Sequence, residues 1–91
     1  MGILEYITKL FSGTSTYEQK EKYLDDKVFT TGSRLQWRLS VVDLLKLMGQ
    51  DSSLSARATL AKELGYPGHF TGTTEQNEWL HQKLIDNLKA S

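Results

Sequence analysis

The chain has no cysteine, a single proline and no surplus of either charge: 11 Lys plus Arg stand against 11 Asp plus Glu in 91 residues. Each absence excludes a class. Without cysteine there is no disulfide framework, no thiolate nucleophile and no Cys-based zinc site. A neutral chain has no overall field to draw in nucleic acid or anionic lipid. The balance is also local, since residues 1–45 carry six basic and six acidic side chains and residues 46–91 carry five of each. No stretch approaches the roughly 20 apolar residues that span a bilayer. A secretory signal needs an unbroken apolar core, and Glu5 interrupts Met1-Gly2-Ile3-Leu4. Gly2 lacks the Ser or Thr that a myristoylation motif wants where Tyr6 stands. A cytoplasmic location is the expectation.

What is present is helical periodicity. No segment alternates with period two, and the β-branched residues are mostly threonines between periodic segments. Ile3, Leu4, Ile7, Leu10 and Phe11 recur as one helical face, with Glu5, Thr8 and Lys9 mainly on the other. Residues 12–16 then have linker composition. A second helix runs from Tyr17 to about Phe29, with Thr16 and Gln19 at capping-box spacing and a weak stripe of Tyr17, Lys20, Leu24 and Val28. Thr30-Thr31-Gly32-Ser33 closes it.

The third segment, Val41 to Met48, is apolar over most of its circumference and is expected to be buried on several sides. Ser40 and Asp43 stand at capping-box spacing, and Leu39 and Leu44 at the spacing of a hydrophobic staple. Gly49 occupies the stop position. Asp51-Ser52-Ser53 caps a fourth helix through Leu54, Ala58, Ala61 and Leu64, ended by Gly65 and Pro67-Gly68. Thr73, with Gln76 three residues on, opens the last helix, whose stripe is Trp79, Leu80, Leu84, Ile85 and Leu88. The expected fold is all-α: a compact bundle of four helices over residues 17–91, preceded by a short amphipathic N-terminal helix over 1–11 and a linker over 12–16.

Leu35-Gln36-Trp37-Arg38-Leu39-Ser40-Val41-Val42-Asp43-Leu44-Leu45-Lys46 resembles the opening motif of a family of bacterial and phage proteins catalogued only as a domain of unknown function. Asp51-Ser52-Ser53-Leu54-Ser55-Ala56-Arg57, Leu60-Ala61-Lys62-Glu63-Leu64-Gly65-Tyr66 and Trp79-Leu80-His81 follow in that family's order and spacing. The resemblance covers a little over half the chain. It implies a helical fold and carries over no chemistry. By family analogy alone, a phage setting would suit a small inhibitor or adaptor of a host protein.

The chemistry-bearing residues are few. His69 lies in a Gly-rich loop; Glu78 and His81 share a helical face, but a carboxylate-bridged metal site in a bundle needs that Glu-x-x-His spacing twice. Asp25-Asp26 point about 100° apart on a helix and read as a solvated face. No glycine-rich phosphate loop is present. No enzyme, cofactor or metal is expected. Val41 to Leu64 has helix-turn-helix spacing, and the would-be recognition helix offers Ser55, Arg57, Thr59 and Lys62. With only two basic residues among these, on a neutral domain, nucleic-acid binding is not expected. The indoles of Trp37 and Trp79 are either core or interface, since aromatics dominate both.

The functional expectation is a non-catalytic protein-interaction module. Its candidate contact residues are Ile3, Leu4, Ile7, Leu10 and Phe11 on the N-terminal helix, and Trp37 and Arg38. That helix can fold back on its own domain, bind a partner protein or a second copy, or lie on a membrane surface. The last is the weaker course, because Glu5 balances Lys9 and leaves lipid binding to apolar area alone.

Overall fold

A computed structural model describes Glu5 and residues 16–90 of the chain. The expected helix over residues 1–11 lies outside the described residues, apart from Glu5. Among the described residues there are four helices and no strand: α1 (Tyr17–Thr31), α2 (Val41–Leu47), α3 (Leu54–Glu63) and α4 (Thr74–Ala90).

Local chemistry sets the helix ends. Thr16 and Gln19 form a reciprocal capping box at the start of α1, with bonds of 3.2 and 2.9 Å. Thr73 and Gln76 form the same pair at the start of α4. Ser53 caps α3, and Asp51 in turn accepts the Ser53 amide. Gly49 and Gly65 end α2 and α3 in the left-handed conformation, at φ 70° and 91°. Each closes a Schellman motif: Gly49 and Gln50 donate to Lys46 and Leu45, and Gly65 and Tyr66 donate to Lys62 and Ala61. α1 outlasts its expected end by two residues. The Thr31 hydroxyl donates to the Lys27 carbonyl at 2.7 Å, and Gly32 provides the left-handed stop only afterwards.

The core is one cluster. α2 packs against α1 and α4, and α1 also packs against α4. Leu80, Leu84 and Leu88 form a fully buried row at four-residue spacing on α4, facing Leu24, Leu44, Leu45 and Met48 of the same cluster. Leu60, Ala61 and Phe70 extend the cluster to α3 and the loop after it. Tyr66 bridges outward, edge-on to both Phe70 and Trp79, with centroids 5.7 and 4.9 Å apart.

Among the described residues, Lys20 is the one charged residue in this interior. It is 1% exposed, and its Nζ donates to the Leu88 carbonyl at 2.6 Å. A burial this costly for a cation is offset by the negative end of the α4 dipole, where free carbonyls collect.

Two expected details of the α2 entry differ. Leu39 is 78% exposed, so no staple joins it to Leu44. Ser40 caps the Asp43 amide at 3.3 Å, but the return bond of a capping box is missing. The Ser40 amide donates instead to the Gln36 carbonyl, and the Asp43 carboxylate accepts from the Gln36 amide at 2.9 Å. Asp43 thus closes the turn before α2 rather than the first turn of α2.

Candidate interaction surface

The turn that Asp43 closes holds Trp37 and Arg38. The Leu39 and Ser40 amides both donate to the Gln36 carbonyl, at 3.1 and 3.0 Å. This tight reversal drives the Trp37 ring inward, to 2% exposure, and throws Leu39 outward. Trp37 is then fixed from two sides. Its indole Nε1 donates to Asp25 of α1 at 3.1 Å. Its carbonyl accepts from His81 Nε2 of α4 at 2.6 Å, which requires the imidazole proton to sit on that nitrogen.

Arg38 lies over the Trp37 ring, with Cζ 4.3 Å from the centroid. Its guanidinium grips Asp25 through both oxygens, at 2.7 and 2.9 Å, and reaches Glu21 at 3.2 Å. Asp25 is about half exposed and, besides facing solvent as expected, anchors the α1 side of this network. The Arg38 hydrogen bonds, helped by Trp37, hold the Asp25 carboxyl below the usual carboxylate range. The same bonds from Asp25 raise Arg38. The Tyr17 hydroxyl is pushed up chiefly by burial and secondarily by Glu21.

The sequence-level candidates thus separate. Trp37 is a core residue that joins α1, the α2 entry and α4. Arg38 is about half exposed and fully engaged with Asp25 and Glu21. Ile3, Leu4, Ile7, Leu10 and Phe11 lie outside the described residues.

Around the network is a feature that periodicity alone did not single out. A groove of about 410 Å³ opens between α1 and the α1–α2 connection, lined by Val28, Leu35, Trp37 and Leu39 with Asp25, Gln36 and Arg38. Phe29 is 87% exposed and lies one helical turn after Asp25 on α1. Phe29 and Leu39 are the two most exposed of the large apolar side chains described. The connection that forms the far wall carries two left-handed residues, Gly32 at φ 61° and Arg34 at φ 57°. For arginine this conformation costs of order 1–2 kcal/mol, so the wall is held in a specific and locally unfavourable shape.

The other candidate chemistries are accounted for differently. Arg57 is drawn into the domain: Nε donates to the Ser52 carbonyl at 3.2 Å and a terminal nitrogen to Asn77 Oδ1 at 2.6 Å. Of the would-be recognition residues, Ser55, Thr59 and Lys62 remain exposed. His69 is exposed, and its carbonyl accepts from Gln76. Among the described residues, no group of three or more His, Asp or Glu side chains is placed to hold a metal ion. No helix among them is long and apolar enough to cross a membrane.

No curated protein and no solved structure is detectably similar to the chain. A family model described as "Domain of unknown function (DUF3597)" matches residues 11–91, which takes in all four helices, the Trp37–Arg38 turn and every residue of the groove, and the chain belongs to that family.

Proposed function

We propose that the protein is a non-catalytic interaction module that recognises a partner protein through the groove beside Trp37. The observation that carries this reading is the pairing of exposed Leu39, which lines the groove, with exposed Phe29 one turn along α1 from Asp25. Large apolar side chains at near-full exposure next to a concave apolar surface favour a recognition role over scattered surface noise. Trp37, Asp25, Arg38 and His81 fix the floor, so little conformational entropy remains to be lost there on binding. The partner's matching element would be a short apolar helix or strand end, with the Asp25–Arg38 pair at the polar rim.

A Phe29→Asp/Leu39→Asp variant of the full chain tests it. Both residues are exposed, so the variant should keep its helical circular dichroism and its melting temperature. Affinity capture from a host extract should recover specific proteins with the native chain and lose them with the variant. A control change on another face, Lys62→Glu, should leave capture intact. If the double variant captures the same proteins as the native chain, this groove is not the recognition surface.

A further inference from the structure

We infer that the cleft between α3 and the loop leading to α4 is a second site, one that binds a small aromatic anion. It shares no lining residue with the groove beside Trp37 and goes beyond the recognition reading. The cleft holds about 530 Å³, within the range of small-molecule sites. Ala58, Thr59 and Lys62 line it from α3, and Tyr66, His69 and Phe70 line it from the loop.

The polar groups of the cleft are suited to a negative charge. Its lining carries the Lys62 ammonium, the His69 imidazole and the Thr59 hydroxyl, and no carboxylate. Glu63, next to Lys62 in sequence, lines a different cleft together with Leu45 and Asp51. Lys62 and His69 are both exposed, and among the described residues neither enters an ion pair. The backbone adds donors. Gly68, also in the lining, turns the chain at φ 96°. The amides of Gly68, His69 and Phe70 donate to no acceptor among the described residues, and the first loop amide after them to find one is that of Thr71. Phe70 is only 6% exposed, so a run of three such amides calls for an acceptor from outside the chain. Successive free amides of a turn are the donors that backbone anion sites use.

The loop wall is already built. Gln76 of α4 clamps it from behind: its Nε2 donates to the Tyr66 hydroxyl at 2.9 Å and to the His69 carbonyl at 3.0 Å, and its Oε1 accepts from the Thr71 and Thr73 amides at 2.8 and 3.1 Å. The His69 carbonyl is thus occupied and does not oppose an anion. Tyr66 stands edge-on to Phe70, and these rings with Ala58 give the cleft an apolar side for a flat body. A ligand with one charged headgroup on an aromatic ring matches both halves, and a preformed wall leaves little ordering to be lost on binding.

The test titrates the isotope-labelled full chain with phenyl phosphate, with inorganic phosphate and with benzyl alcohol, and follows the amide chemical shifts. Phenyl phosphate should saturate, should move the Gly68, His69 and Phe70 amides most, and should bind about tenfold or more tighter than either half alone. Lys62→Gln and His69→Ala should each weaken it about tenfold, as loss of one hydrogen bond to a charged group does. Both residues are exposed, so circular dichroism and melting temperature should not change. Shifts that fail to saturate, or an affinity that neither substitution alters, overturn the site. Benzyl alcohol binding as tightly as phenyl phosphate reduces the cleft to an apolar depression, and inorganic phosphate doing so removes the aromatic half; either result overturns the inference. The Phe29→Asp/Leu39→Asp variant should bind phenyl phosphate as the native chain does, and loss of binding there would move the probe to the Trp37 groove and overturn the second site. Partner capture through Phe29 and Leu39 is read separately, so failure here leaves the recognition reading untouched.

Discussion

Replacing Asp25 with alanine should destabilise the domain through Trp37 more than through Arg38. The carboxylate serves two donors of different burial. Trp37 is 2% exposed, and its Nε1 has Asp25 as its hydrogen-bond acceptor at 3.1 Å. Stranding a buried donor costs about 1–3 kcal/mol. The Arg38 side chain is 49% exposed and that of Asp25 48%, so their ion pair is screened and contributes about 0.2–1 kcal/mol despite its two-pronged geometry. The expected loss for Asp25→Ala is therefore about 1.5–3 kcal/mol, with the larger share from the indole. Arg38→Ala leaves the indole bond in place and should cost about 1 kcal/mol or less, including the stacking it loses over Trp37. Asp25→Asn keeps an acceptor oxygen and should fall between the two. Urea unfolding followed by indole fluorescence and circular dichroism separates the three variants. A double-mutant cycle of Asp25→Ala with Trp37→Phe should show coupling of about 1 kcal/mol, because the ring without its N–H has no donor to strand. If Arg38→Ala costs as much as Asp25→Ala, or if the cycle shows no coupling, the indole bond is not what this carboxylate contributes.

Four further outcomes are expected. Leu44 is fully buried in the most apolar helix, so Leu44→Ala should cost about 2–5 kcal/mol in the same urea assay. Asp25 has its pKa lowered in the folded state, so the unfolded chain binds its proton first; the contribution is present above the unfolded value near 4 and is lost as pH falls below it, and Asp25→Asn should flatten the stability profile on the acid side of about pH 4. Gly72 sits at φ 82° with a would-be Cβ 2.8 Å from the flexible end of Leu54, so Gly72→Ala should cost about 1–2 kcal/mol, mostly backbone strain, and pairing it with Leu54→Ala should not restore the loss. A random-sequence duplex should show no mobility shift with micromolar protein even at about 50 mM salt, since the α2–α3 pair is near neutral and Arg57 is engaged with Ser52 and Asn77; a salt-sensitive complex lost on Arg57→Ala would restore the helix-turn-helix reading.

The helices were legible because their signals are local. A capping box such as Thr16–Gln19 joins residues three apart, and a Schellman glycine such as Gly65 acts within six residues. The buried row Leu80, Leu84 and Leu88 follows from the helical period alone. The Asp25 network was not legible, because its bonds join residues 12 and 13 positions apart across two elements. No periodicity marks Asp25 apart from Asp26, and both are exposed. Leu39 shows the limit of spacing rules. It has the correct offset from Leu44, but the Gln36–Ser40 turn rotates it to the outside. The Ser40–Asp43 pair misled in the same way: the turn gave Asp43 a competing donor at Gln36, and a carboxylate at that spacing has no preference for the Ser40 amide once that amide is bonded elsewhere.

The same logic explains why the candidate surface is harder to read than the core. A core residue contributes to a repeating stripe, so its neighbours in sequence vouch for it. Phe29 and Leu39 belong to no stripe; Phe29 follows Val28 out of the buried face of α1, and Leu39 sits in a turn. Their meaning comes from what the fold places beside them: the closed Trp37 turn, the left-handed Arg34 and the Asp25–Arg38 rim. An aromatic that breaks a helical stripe adds nothing to folding, and a chain this small has little stability to spare for idle apolar exposure. Such off-stripe residues become visible only once the turn that gathers them is known.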